Sequence, residues 1–118
     1  MIDAGMNDLL RPALYGALHR VEPVEHAPRT LERGAEPYRV VGPVCESSDD
    51  FGEHLFATPL PRHVLLRDAG AYGFTMASQY NGRAIPNEIF LKAGQMLSML
   101  RGRSIREWVR SRIQPEDP

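Results

Sequence analysis

Apolar and polar residues alternate in short runs along this chain, and glycine and proline cut the runs at close intervals. Met1-Ile2-Asp3-Ala4-Gly5 predicts the end of a strand entering a turn, and the polar pair Asn7-Asp8 leads towards Pro12. Proline is tolerated in the first turn of a helix, so a short helix is expected to begin near Pro12 and to stop by Gly16. Leu18 to Val24 alternates through His19, Val21 and Val24, which predicts a strand, and Pro23 restricts it to an edge or bulge. His26 to Glu36 is polar, with Pro28 and Gly34, and is expected to be a connecting loop.

Tyr38 to Val44 holds a β-branched run ended by Gly42-Pro43, which predicts a strand that delivers Cys45-Glu46 onto the following turn. Ser47 to Gly52 is expected as loop and Glu53 to Pro61 as irregular chain, before His63 to Asp68 resumes as strand. Tyr72 to Ser78, Glu88 to Lys92 and Gln95 to Leu100 are further strand candidates, and Asn81-Gly82 is a hairpin signal. Ser104 and Glu107 have the spacing of a capping box. Ile105, Trp108, Val109 and Arg112 follow at helical intervals, with Pro115 and Pro118 as the stop. The expected fold is mainly β: a small β-barrel or sandwich with a short helix near the N-terminus and a short amphipathic helix at the C-terminus.

A length of 118 residues with 42% hydrophobic content predicts one domain with one core of moderate size. The 14 basic and 15 acidic side chains nearly cancel, so nothing concentrates phosphate backbones or anionic lipid, and nucleic acid and membrane are poor partners. No apolar run approaches the ~20 residues of a spanning helix, and Asp3, Asn7 and Asp8 lie where a signal peptide is basic and then apolar. A cytoplasmic location is expected. His19, His26, His54 and His63 show no ligand spacing, so no metal site is expected. The single cysteine, Cys45, is either a buried small hydrophobe or a reactive thiol.

Four phrases carry a resemblance. Asp3 to Ala17 (DAGMNDLLRPALYGA), Val41 to Ser47 (VGPVCES), Arg67 to Phe74 (RDAGAYGF) and Ala77 to Arg83 (ASQYNGR) resemble, in order and spacing, motifs of the diaminopimelate decarboxylases, over roughly Ile2 to Leu91. The chain departs from the family pattern at Ala84-Ile85 and in Leu55-Phe56-Ala57.

The resemblance implies an enzyme that uses pyridoxal 5'-phosphate to convert meso-diaminopimelate to lysine. Such an enzyme is built from a cofactor-binding barrel and a β-domain, with active sites at a dimer interface. Residues 1–118 are then expected to be the carboxy-terminal β-domain, with the cofactor bound mainly by a barrel that the chain lacks. The one lysine, Lys92, lies after the last motif, where nothing desolvates it, and is not expected to anchor the cofactor.

By the same resemblance Cys45 is the catalytic proton donor, reaching the cofactor from the neighbouring subunit, and a thiol remains protonated near neutrality. Glu46 holds the distal amino group of the substrate, and Arg11 with Tyr15 holds its distal carboxylate, for which a guanidinium fork offers two parallel charge-assisted bonds. Tyr72 lies near both the cofactor phosphate and the substrate, between Gly70 and Gly73, which let backbone approach a ligand. The partners implied are a small amino-acid substrate and either a second copy or a barrel-containing chain. Two other readings stay open: an interaction module that pairs with a full-length decarboxylase, and a decarboxylase of another basic amino acid.

Overall fold

In the computed structural model, which describes residues 1–25 and 34–113, the longest ladder pairs β2 (Glu36–Val41) with β3 (Asp50–Phe56) antiparallel. Tyr38 stands opposite His54 and Val40 opposite Gly52, and the register slips between Val40 and Val41. Two more antiparallel pairs complete the strands: β1 (Val21–Pro23) with β4 (Val64–Leu66), and β5 (Glu88–Lys92) with β6 (Gln95–Leu100). The chain is thus mainly β with small sheets and few short helices. The three ladders share no strand, so hydrogen bonding alone does not join them into the barrel or sandwich that the strand count predicts.

Leu9, Val21, Val40, Phe51 and Phe56 form the core, with Ile2, Tyr38, Val64, Leu66 and Ala69 packed against it. Inward positions alternate along β2 and β3, as the period of a half-buried strand requires, and so a single cluster unites the first two ladders with the turn that precedes α1. The β5–β6 ladder contributes nothing to this cluster.

Both helices lie where the residue signals place them. α1 (Arg11–Tyr15) has proline in its first turn and ends on Gly16, which adopts a left-handed φ of 64° that side chains resist. α2 (Ile105–Arg110) has the full capping box: Ser104 Oγ accepts from the Glu107 amide, and the Glu107 carboxylate accepts from the Ser104 amide. Pro115 and Pro118 lie outside the described residues, and the helix ends before them at Arg110. Most of the loop expected over 26–36 also lies outside the described residues, and its last position, Glu36, already belongs to β2.

Several expectations are corrected. The second half of the loop expected over Ser47–Gly52 and the first four residues of the irregular stretch expected over Glu53–Pro61 give way to β3, which runs across their boundary, while 47–49 and 57–61 stay outside any strand. Asp50, Gly52, Glu53 and His54 are weak strand formers, but burial of Phe51 and Phe56 on one face outweighs propensity. The strand expected from Tyr38 starts two residues earlier and ends at Val41, just before the Gly42-Pro43 that closes the run, and that over Leu18–Val24 shortens to β1. Tyr72–Ser78 is a series of tight turns, closed by Gly73 N–H to Ala69 C=O at 3.1 Å and Met76 N–H to Tyr72 C=O at 3.1 Å. Asn81 and Gly82 are both left-handed, as a hairpin turn would need, but they sit in a 3-10 turn (Tyr80–Gly82) that joins no paired strands.

Among the described residues no helix is long and apolar enough to cross a membrane. Nor do three His, Cys, Asp or Glu side chains converge on a point there. His19 is buried, and its Nδ1 donates to the Arg67 carbonyl at 2.9 Å, which ties β1 to β4.

The β2–β3 ladder carries a pH dependence. Asp50 accepts from Arg39 Nε at 2.8 Å and from the Gly52 amide at 2.8 Å, and the Arg39 hydrogen bond, then the amide, hold its carboxyl below the usual range. An unfolded aspartate titrates near ~3.9, so this stabilisation is complete above that value and is lost as pH falls through the lower folded value. Asp50→Asn should therefore flatten the loss of stability below about pH 4, measured as urea midpoints across the acid range. An acid limb of unchanged slope would show that the pair stabilises nothing.

Candidate functional site

The turn over Gly5–Asp8 joins three segments that carry candidate residues. Along the chain it runs directly into α1 and hence Arg11 and Tyr15. Sideways, the Met6 amide donates to Asp49 Oδ1 at 2.7 Å, while Asp49 Oδ2 accepts from the Val44 amide at 2.6 Å, next to Cys45 and Glu46. On the third side the Asn7 carbonyl accepts from the Ser78 amide at 2.8 Å, which fixes the segment that runs from Tyr72 to Tyr80.

Asp49 is buried, and a buried carboxylate is tolerated only where donors replace water. The two backbone amides do so here. Gly42 is required beside it, because a Cβ there would lie 2.4 Å from both Asp49 carboxylate oxygens. Further bonds, Gly42 N–H to Asp49 C=O at 3.0 Å and Asp49 N–H to Glu46 C=O at 3.1 Å, close the loop on itself. Asn7 is only 1% exposed, with Nδ2 donating to Asp8 at 3.0 Å. Burial raises the Asp8 carboxyl above its ordinary value, opposed first by the hydrogen bond from the Gly5 amide.

Cys45 is exposed at the loop surface, which removes the buried-hydrophobe alternative. Glu46 is exposed as well, and its carboxylate accepts from the Tyr80 hydroxyl. Tyr72 is left-handed at φ 66° and points outward. Its neighbour Gly73 makes this possible, since a Cβ at Gly73 would lie 2.2 Å from the Ala69 carbonyl oxygen. A non-glycine residue in this region costs on the order of 1–2 kcal/mol, which the surrounding turn bonds must offset. The guanidinium of Arg11 sits 5.7 Å from the centre of the Tyr72 ring, within cation–π range.

The five candidates thus fall into two contacts and two free groups. Arg11 meets Tyr72, and Glu46 meets Tyr80, while Tyr15 and Cys45 face outward. No hydrogen bond or ion pair joins Arg11 to Glu46 among the described residues. A cleft of ≈ 270 Å³ between Pro12 and Ala13 of α1 and Ser47, Ser48 and Phe51 is lined by none of the five. The surface has the form of one wall of a site rather than an enclosed pocket.

Comparison with known proteins fits this incomplete shape. The family model described as "Pyridoxal-dependent decarboxylase, C-terminal sheet domain" matches residues 1–70. This chain belongs to that family. Among curated relatives, the diaminopimelate decarboxylase of Bacteroides thetaiotaomicron is 50% identical over 88 residues, covering 73% of this chain and 22% of the relative. That of Escherichia coli K12 is 38% identical over 117 residues, covering 91% of this chain and 28% of the relative. Among solved structures, diaminopimelate decarboxylase from Helicobacter pylori complexed with L-lysine matches 92% of this chain with a TM-score of 0.78 at 36% identity. The enzyme from M. jannaschii matches 98% with a TM-score of 0.81 at 32% identity. The chain spans about a quarter of the length of these family members.

Residue patterns missed Asn7, Asp49 and Tyr80 as parts of this surface. Asn7 and Asp49 read as ordinary loop polars, and only their burial distinguishes them. Tyr80 stands in the last of the four phrases without a role of its own. Accepting from its hydroxyl, Glu46 holds the Tyr80 phenol above its usual value. Glu46→Gln should therefore let Tyr80 ionise at lower pH, followed by ultraviolet difference titration with Tyr80→Phe removing the same step. Identical titrations in the wild-type and Glu46→Gln chains would show that the contact does not persist in solution.

Proposed function

We propose that this chain is the carboxy-terminal domain of a cytoplasmic diaminopimelate decarboxylase. It would supply one wall of the active site against a cofactor-bearing barrel, in the same polypeptide or at a dimer interface. The observation that carries this reading is that one turn, Gly5–Asp8, gathers the four motifs shared with the diaminopimelate decarboxylases and sets Arg11, Cys45, Glu46 and Tyr72 on exposed segments around it.

Pyridoxal phosphate supplies the electron sink for loss of carbon dioxide from an amino acid. The described residues do not form a complete site for it. Lys92, the one amine side chain, is exposed on β5, in a ladder separate from the Asp49 loop and α1. The barrel is accordingly assigned the covalent anchor and most of the phosphate contacts, and Tyr72 an edge contact near the phosphate. The chain's own residues recognise and finish the substrate. Arg11, steadied over the Tyr72 ring, offers two parallel donors to the distal carboxylate, with Tyr15 beside it. Glu46, held by Tyr80, faces the distal ammonium. Cys45 Sγ carries the proton that replaces the departing carboxylate.

A chimera that joins this chain to the part of the Escherichia coli relative that the match does not cover supplies the missing wall. It should release carbon dioxide from meso-diaminopimelate in preference to ornithine or arginine. Cys45→Ala should lower kcat by roughly 10²-fold or more with little change in KM, since proton delivery acts in the transition state. Arg11→Ala should instead raise KM and reduce the preference over substrates lacking the distal carboxylate by roughly ten- to a hundredfold, the worth of one charge-assisted bond. An inactive chimera with a folded barrel would favour a purely binding role. Equal rates with ornithine would move the reaction to another basic amino acid.

A further inference from the structure

α2 buries no residue and lies outside the core cluster, so the core does not set its place in the fold. Trp108 is the only residue of α2 that is not exposed. Its ring packs on Gly82: Cζ3 and Cη2 stand 3.6 and 3.7 Å from where a Cβ on that glycine would be, which is van der Waals distance. The Arg112 guanidinium, four positions on, lies 4.6 Å from the centre of the same ring, within cation–π range. A close crossing just ahead of α2 brings it to this place. The Ile85 amide donates to the Arg103 carbonyl at 2.9 Å, and a Cβ at Gly102 would lie 1.9 Å from the Ile85 carbonyl oxygen.

Gly82 ends the 3-10 turn that opens with Tyr80, whose hydroxyl donates to Glu46 Oε1. Asn81 is left-handed in this turn at φ 53°, a conformation that a side chain resists. The flanks of the turn are tied to the N-terminal segment: the Ser78 amide donates to the Asn7 carbonyl at 2.8 Å, and the Arg83 guanidinium to the Asp3 carbonyl at 2.7 Å. Between these two tethers Trp108 packs on the turn itself. Glu46 Oε2 accepts no hydrogen bond among the described residues, which leaves it for a ligand.

We infer that α2 sets the position of Glu46: Trp108 holds the Tyr80–Gly82 turn in place, and the Tyr80 hydroxyl fixes the Glu46 carboxylate with Oε2 open to the distal ammonium of the substrate. The inference rests on the proposed decarboxylase role, and it makes Tyr80 and Trp108 positioning residues that act through Glu46. An exposed glutamate samples several rotamers, and a ligand that needs one of them loses affinity in ordering it. A hydroxyl that orders the carboxylate in advance restores that affinity. It does so far from the reacting carbon, so its loss falls on KM rather than on kcat.

Trp108→Ala, Trp108→Phe and Tyr80→Phe are to be compared in the chain alone and in the Escherichia coli chimera. In the chain alone, Trp108→Ala should move the Tyr80 titration to lower pH, as Glu46→Gln does, because the contact that raises it loosens. Trp108→Phe keeps a ring over Gly82 and should restore the wild-type curve. The urea midpoint should hold throughout, since Trp108 is not part of the core. In the chimera, Tyr80→Phe should raise KM for meso-diaminopimelate by about three- to tenfold, the worth of one hydrogen bond, with kcat within about twofold. Trp108→Ala should act in the same direction, and neither change should add to Glu46→Gln, through which both act. Penalties that add in full, or a Trp108→Ala chain with an unchanged Tyr80 titration, would overturn the inference. A folded, inactive chimera beside a chain in which Trp108 does shift Tyr80 defeats the decarboxylase role alone. An active chimera whose KM is indifferent to both Tyr80→Phe and Trp108→Ala defeats the positioning alone.

Discussion

One buried carboxylate sets the geometry on which the candidate site depends. Asp49 accepts from the amides of Met6 and Val44, on segments far apart in sequence, and so clamps the turn before α1 to the loop that carries Cys45 and Glu46. Charge-assisted bonds of this kind contribute about 1.5–3 kcal/mol each, against a desolvation cost that would be prohibitive without them. Gly42 leaves the space the carboxylate fills, and Asn7, one turn away, extends the clamp to Ser78 through its carbonyl. Apart from Arg11 over the Tyr72 ring, the candidate residues above make no contacts with one another. Their backbones are fixed from beneath.

This division between a rigid underside and an open surface suits a domain that contributes one wall of a shared site. The core is small and lies under the first two ladders, while Arg11, Tyr15, Cys45, Glu46 and Tyr72 project where a second wall can meet them. Glycine contributes steric room rather than looseness. Gly73 allows the tight turn that leaves Tyr72 left-handed and outward, and the strain there is offset by local backbone bonds.

Local signals in the sequence are legible where they are complete in a few residues. Pro12 and Gly16 bracket α1, the Ser104–Glu107 box starts α2, and the β5 and β6 runs are bounded as read. The failures lie where a distant partner decides. β3 forms through Asp50, Gly52, Glu53 and His54 because Phe51 and Phe56 complete the core, and no window of its own sequence contains that information. Tyr72–Ser78 looks like a strand because its aromatic residues are exposed for another reason, and the glycines flanking Tyr72 bend it into turns. Among the candidate residues, the motifs pointed to Arg11, Cys45, Glu46 and Tyr72. Asp49 and Tyr80 act through contacts across 43 and 34 positions and leave no periodic trace.

The most direct test of the clamp is amide hydrogen exchange at Met6 and Val44 in Asp49→Asn. An asparagine keeps one acceptor oxygen and turns an NH2 towards the other amide, so both bonds cannot survive. The account predicts that at least one of the two amides exchanges about tenfold faster or more, while amides in the middle of the β2–β3 ladder keep their protection. Unchanged exchange at both Met6 and Val44 would contradict it, because the turn and the loop would then be held together by something other than this carboxylate.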